Sequence, residues 1–342
     1  MKKWLMLIRR NQSQSWLPGI SLVVLLLTLL VTLTKGTAPI PPIDVINVLL
    51  AKLGLTDSDI LATPTGIILW EIRWPRVALA VLAGSTLAIS GACYQTLFRN
   101  PLADPFILGV SSGAALGAAV AITFWQGAYL TLSAFVGSAV AVAVVYFLGR
   151  QDEGADSQQI LLAGVAFGSM LSALLSCIMA VFSQQIHLIV FWLMGSLASP
   201  VQSLPAVAAV VCFGMAAILF FARDLDLVAL GEETAHHLGV NLPLVRLVIL
   251  GATTLITGAV VSVTGIIGFI GLVVPHMVRN VAGPEHVRLL PLSAVWGATL
   301  LLWADSLTRM FTSLVSIPVG VVTALFGGPF FLYILYTSRT GR

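Results

Sequence analysis

Four titratable residues crowd one short stretch, Glu232-Glu233 and His236-His237. Such a group could hold a metal or serve a hydrolase, but its spacing argues against both. There is no H-E-x-x-H, and adjacent histidines on a helix point about 100° apart, which suits a shared metal poorly. The charged members read as a solvated rim on a polar stretch that also holds Leu230, Gly231, Ala235, Leu238 and Gly239. Asp305 is a carboxylate inside a long apolar run, and such a residue is a functional candidate by default. Its rival reading is a structural hydrogen bond across helices, near Arg309 one turn away. Gln95, Asn100 and His276 are polar where the chain turns or breaks, and they pose the same choice between function and satisfying freed backbone groups. Arg73 and Arg76 flank Trp74-Pro75, and Arg309 ends a later apolar run. Nothing local pairs with these arginines except Glu71. They suit either lipid-phosphate contacts or bidentate capture of a partner's carboxylates. The chain lacks G-x-x-x-x-G-K-[ST], so it carries no nucleotide site of that kind. Cys93, Cys177 and Cys212 are isolated in apolar runs and read as packing residues.

The elements that must position these residues are written for lipid. The 342 residues are 58% hydrophobic and 9% charged, with a mean hydropathy of +1.01. A soluble domain carries about 25% charged residues, so the chain is expected to be an all-α polytopic membrane protein. The net charge of +3 gives no argument for nucleic acid. Apolar runs near 17–34, 77–98, 107–124, 129–148, 159–182, 203–221, 243–263, 266–281, 289–308 and 318–336 predict about ten spans. The eighth is short and broken by glycines and Pro275. The first run follows Lys2, Lys3, Arg9 and Arg10 but lacks an A-x-A site, so it reads as an uncleaved span. With both termini in the cytoplasm, twelve of the seventeen Lys and Arg fall inside and five outside, as the positive-inside rule favours. This places residues 223–242 inside and the segment 35–76 outside, within one transmembrane domain covering 1–342. Asp44 to Leu53 has helical apolar spacing and predicts a short surface helix. The connection 183–200, with His187 and Phe191-Trp192-Leu193-Met194-Gly195-Ser196, is apolar enough to fold back onto the bundle. Gly109, Gly113 and Gly117, and Gly164 with Gly168, form stripes that let helices pack closely. Gly84 and Gly91 echo Gly258 and Gly265, and Pro101 echoes Pro275, which predicts an inverted internal repeat.

The motifs in order resemble the permease subunits of ABC importers for ferric siderophores, haem and cobalamin. They are Arg73-Trp-Pro-Arg76, Ser90-Gly-Ala-Cys-Tyr-Gln-Thr-Leu-Phe-Arg-Asn-Pro-Leu-Ala-Asp-Pro105 running into Leu108-Gly109, Trp192-Leu-Met-Gly-Ser196 and Leu230-Gly-Glu-Glu-Thr-Ala-His-His-Leu-Gly239. Gly268-Phe-Ile-Gly-Leu-Val-Val-Pro-His-Met-Val-Arg279, Ala304-Asp305 and Pro318-Val-Gly-Val-Val-Thr-Ala324 complete the set. The resemblance covers nearly all of the chain beyond the first span.

The resemblance implies two permease subunits, identical or paralogous, around one pathway in a bacterial inner membrane. It also implies two cytoplasmic ATPase subunits that use ATP and magnesium, an external substrate-binding protein, and no cofactor held by this chain. Arg73, Arg76 and Arg309 match the arginines that receive the binding protein's glutamates. Leu230, Gly231, Glu232, Glu233, Ala235, Leu238 and Gly239 match the ATPase-coupling helices. Asn100, Leu102, Ser157 and Gln158 fall at the cytoplasmic gate, and Gln95, Pro275, His276 and Asp305 join them as pathway candidates. The expected cargo is a ferric siderophore, with haem or cobalamin as alternatives. A rival of another class is an ion-coupled transporter using Asp305. Two places depart from the family pattern. Ile317 precedes Pro318 where the family often has Glu, and Glu285-His286-Val287-Arg288 stands where it often has Asp-His-Arg.

Overall fold

A computed structural model describes residues 16–36, 38–151, 154–155, 157–198, 203–311 and 317–340. The N-terminal cations Lys2, Lys3, Arg9 and Arg10, and Arg342, lie outside the described residues. Apolar runs become helices because lipid offers the backbone no hydrogen-bond partner. In order these are α1 Leu17–Thr34, α2 Pro42–Lys52, α3 Asp59–Ala62, α4 Pro64–Ile67, α5 Trp74–Leu97, α6 Val110–Phe124, α7 Leu130–Leu148 and α8 Ser157–Val181. There follow α9 Ile186–Leu193, α10 Leu204–Phe220, α11 Ala222–Leu230, α12 Glu232–His237, α13 Leu242–Thr264, α14 Ile270–Ala282, α15 His286–Phe311 and α16 Val319–Thr340. Among the described residues, six helical segments are long and apolar enough to cross a bilayer, or seven if α10 and α11, bent by 52°, form one span. The shorter apolar helices α6, α14 and the first part of α16 supply the rest. All ten expected runs therefore become helical. A two-residue hairpin, Arg150–Gln151 with Gly154–Ala155, is the one departure from all-α among the described residues.

The core is built around α5, most of whose residues are buried. α15 packs along it in the opposite direction. Ser85 donates to the Ala294 carbonyl at 2.9 Å, and a Cβ on Gly84 would strike the Gly297 backbone. Gly91 meets the backbone of Gly271 on α14 in the same way. Glycine is required at these crossings because the backbones touch. Gly113 and Gly117 likewise lie against the α7 backbone at Gly137 and Ser133, and Gly164 lies against the Ile107 carbonyl.

The segment before α5 folds onto the bundle. α2 turns Val45, Val48 and Ala51 inward, against Leu33 and Leu69. A π-helical turn, Ile68–Arg73, then delivers Arg73 into the interior. Both halves of the chain contain a long helix, a break and a short apolar helix entered through a left-handed residue. These are α5, Gly109 (φ +82°) and α6, then α13, Phe269 (φ +70°) and α14. The likeness lies in this order of elements. The echo residues themselves do not coincide: Gly91 is inside α5 while Gly265 caps α13, and Pro101 is in a turn while Pro275 is within α14.

Candidate functional site

The predicted residues gather at the two ends of α5, which at 24 residues is about 36 Å long. At its start, Arg76 donates through Nε to Asp305 Oδ1 at 2.8 Å. Arg309 Nε lies 3.0 Å from Asp305 Oδ2. Arg309 also donates to the Lys35 carbonyl at 3.1 Å, while Arg73 donates to the Leu33 and Ala38 carbonyls. The carbonyls of Leu33 and Lys35 belong to the end of α1, whose last turn has no intrahelical donors left. Two arginines thus cap α1 and fix it to α5 and α15. The expectation that these arginines have only Glu71 nearby is corrected for two of them: the carboxylate of Arg76 and Arg309 is Asp305. Asp305, named above as a pathway candidate, is fully buried and lies at the opposite end of α5 from Asn100 and Leu102. Its hydrogen-bonding rival reading is the one the geometry meets. Two guanidiniums, Arg76 and Arg309, share one carboxylate here, while the Arg73 guanidinium is held on carbonyls, and Arg76 is the most exposed of the three, at 24%.

At the other end of α5, Gln95 reaches α14. Pro275 has no N–H to give to the Gly271 carbonyl one turn back. The Gln95 amide points at that oxygen and at the Leu272 carbonyl, 3.4 and 3.2 Å away. Its own oxygen accepts from Arg279 at 2.9 Å. Gln95 therefore repairs the backbone of a broken span, as intramembrane Pro requires. His276, the residue after Pro275, is half-buried. Asn100 forms the next turn: its Oδ1 accepts from the Leu102 N–H at 2.9 Å, and Leu102 is exposed. In the same turn Asp104 accepts from the Phe106 N–H at 2.9 Å, and burial pushes its carboxyl up to about 6. Ser157 and Gln158 open α8, where Gly149 packs on Ile160.

The stretch 230–239 takes the last residue of α11 and all of the six-residue helix α12. Gly231 (φ +130°) separates α11 from α12, and Gly239 (φ +86°) follows α12. Only glycine adopts such values without strain. Ala235 is buried, whereas Leu230 and Leu238 are 68% and 58% exposed. His236, His237 and Glu233 are exposed, in keeping with a solvated rim. Glu232 departs from that rim by pairing with Arg246 on α13. The Arg99 guanidinium lies beside Gly231, which puts the Asn100 turn next to this element.

The sequence did not reveal the cavity. A space of about 1100 Å³ opens between the last turn of α6, the start of α7, α9 and the end of α13. Gln126, Tyr129, Gln185, His187, Phe191 and Trp192 are among its lining residues. None of the predicted gate residues lines it. Two of its lining residues are joined, Ser196 N–H donating to the Thr264 carbonyl at 2.7 Å, and nearby in the same connection the Met194 carbonyl accepts from Gly320 N–H at 3.1 Å. This fold-back of 192–196 was expected, but its contacts with 264 and 320 require the tertiary structure.

Ten apolar helices among the described residues, one of them broken by Pro275, with a large cavity and a polar two-helix element, suit a membrane permease. A model of the FecCD transport family matches residues 24–337, and the chain belongs to that family. It is 42% identical over 272 residues to the cobalamin import system permease protein BtuC of Halobacterium salinarum, covering 79% of this chain and 73% of that one. It is 39% identical over 330 residues to the hemin transport system permease protein HmuU of Yersinia pestis, covering 93% and 96%. A solved inward-facing structure of a metal-chelate type ABC transporter superposes with a TM-score of 0.79 at 29% identity, covering 93% of this chain and 98% of that one. The chain is thus a permease of the ABC-importer class.

Proposed function

We propose that the chain imports an intact metal chelate across a bacterial inner membrane, a ferric siderophore first, powered by two separate ATPase subunits. The observation that carries this reading is the α11–α12 element. It presents two exposed leucines, Leu230 before Gly231 and Leu238 before Gly239, each glycine at positive φ. An exposed apolar pair on a charged rim suits a protein partner, which would desolvate it. The surplus positive charge around Arg76 suits acidic groups of an external binding protein, which it would steer and orient. The cavity exceeds the volume of a drug-sized site, about 300–1,000 Å³, so a bulky chelate is the fitting cargo class.

Haem or cobalamin is the second reading. Relatives named for hemin and cobalamin favour it, as do the aromatic residues of the cavity, which suit a flat macrocycle. Against the ion-coupled alternative stands the burial of Asp305 between two arginines.

The test is uptake by the full complex in proteoliposomes, offering a ferric siderophore, haem and cobalamin in turn. ATP-dependent uptake of one cargo is expected. Leu238→Glu should abolish that uptake while the permease still folds, by blocking the ATPase contact. Unchanged uptake by this variant, or uptake without ATPase subunits, would reject the reading.

A further inference from the structure

The loop before α15 ends at His286, a residue that the pathway and the coupling element leave unused. Its side chain is 2% exposed and both ring nitrogens are engaged. Nδ1 lies 2.6 Å from Asp226 Oδ1, and the His286 backbone N–H donates to the same oxygen at 2.8 Å. Nε2 lies 2.7 Å from Thr96 Oγ1. A carboxylate only accepts, so Nδ1 carries the proton and donates. Thr96 Oγ1 lies between Nε2 and the Ala92 carbonyl, 3.1 Å away, and its single proton serves one of these two acceptors at a time. The three residues belong to three elements: Asp226 to α11, His286 to the first turn of α15 and Thr96 to the last turn of α5.

Each end of this chain of bonds meets a moving part of the proposed mechanism. Asp226 sits on the nine-residue helix α11, bent 52° from α10 and followed directly by Gly231. Thr96 neighbours Gln95, which holds the broken backbone of α14, and it stands four residues before the Asn100 turn. α11 also buries Ala222, Leu225 and Val228, but apolar contacts slide with little resistance to direction. A carboxylate held by two donors from one residue fixes both distance and orientation.

Resting on the reading that ATPases grip α11–α12, we propose that Asp226, His286 and Thr96 form the link that transmits α11 motion to the end of α5 and its gate turn. His286 is the positioning residue at its centre. Shared hydrogen-bond networks of this kind transmit coupling between elements that have two arrangements.

The test uses the complete transporter in proteoliposomes and measures cargo taken up per ATP hydrolysed. Thr96→Val keeps shape and removes the hydroxyl, while Thr96→Ser keeps the hydroxyl. Thr96→Val and Asp226→Asn are each expected to lower uptake per ATP about tenfold, with hydrolysis within about twofold of the parent. Thr96→Ser should retain the parent ratio, and the double variant should be no worse than either single one because the bonds act in series. Parent-like ratios for both single variants, equal loss in Thr96→Ser and Thr96→Val, or multiplied losses in the double variant overturn the link. A second measurement covers variants that fold poorly. Spin labels at residues 223 and 102 report whether ATP moves each element. In His286→Asn, which keeps a donor near Nδ1 and loses the reach to Thr96, residue 223 should still move and residue 102 should not. Movement of both overturns the link. A parent complex with no ATP-driven uptake would instead reject the functional reading itself.

Discussion

At the scale of single residues, buried charge and backbone contact set the largest effects. Asp305 is the sole carboxylate described in contact with Arg76 and Arg309. Removing one partner of a buried ion pair costs about 3–5 kcal/mol, because it leaves charge without a counter-ion. Asp305→Ala should therefore lower the thermal stability of the detergent-solubilised permease by that order, measured by a melting assay. A variant that melts like the parent yet fails to transport would restore a coupling role for Asp305. Gly91 offers a packing test. A methyl group there would strike the Gly271 backbone, whereas one at Gly251 would meet nothing within 4 Å. Gly91→Ala should destabilise by about 1–3 kcal/mol through overpacking. Gly251→Ala, in mid-helix, should be neutral or stabilising by up to about 1 kcal/mol. The same melting assay ranks the two.

At the scale of elements, the turn between α5 and α6 has a pH dependence of known sign. Burial raises the Asp104 carboxyl to about 6 in the folded chain, above the usual value of about 3.9 in an unfolded one. Between those values the folded state binds the proton more tightly. The contribution is fully present below about pH 4 and is lost as pH rises through about 6. Asp104→Asn should remove this slope, so the variant gains on the parent as pH is raised from 4 to 7 in paired melting curves. A parallel pair of curves would show that Asp104 titrates normally. The broken span α14 illustrates why elements could be read only in part from sequence. Pro275 announced the break, but the repair by Gln95 comes from another helix 180 residues earlier in the chain. No local pattern encodes that pairing.

At the scale of the whole molecule, the permease has two unlike ends about one membrane thickness apart. One concentrates positive charge around Arg76, and the other carries the α11–α12 element. Arg76→Glu should weaken association with the external binding protein, and parent binding should fall as salt rises, since charge steering is screened within about 8–10 Å at 0.1–0.15 M. Equilibrium binding at several ionic strengths checks both. Arg73 and Arg309 are poorer probes of docking, because their guanidiniums hold α1 and their loss would disturb the fold as well. Sequence reading treated the three arginines alike, since identity and spacing say nothing about which carbonyls lie within reach.

The sequence by itself determined which ten apolar runs become helical and the two glycines that flank α12. These follow from local rules: apolar length sets a span, Pro and Gly break it, and a polar stretch between spans stays in water. The resemblance across ordered motifs was also legible, because it depends on residue type and spacing alone. Only the tertiary structure decided which partners these residues meet. It paired Asp305 with Arg76 across 229 positions, joined His286 to Asp226 and Thr96, and enclosed a cavity from α6, α7, α9 and α13. Those outcomes depend on how helices with similar apolar faces cross. Lipid is as apolar as their side chains, so the crossing is chosen by small-residue contact and by a few polar bonds between residues distant in sequence.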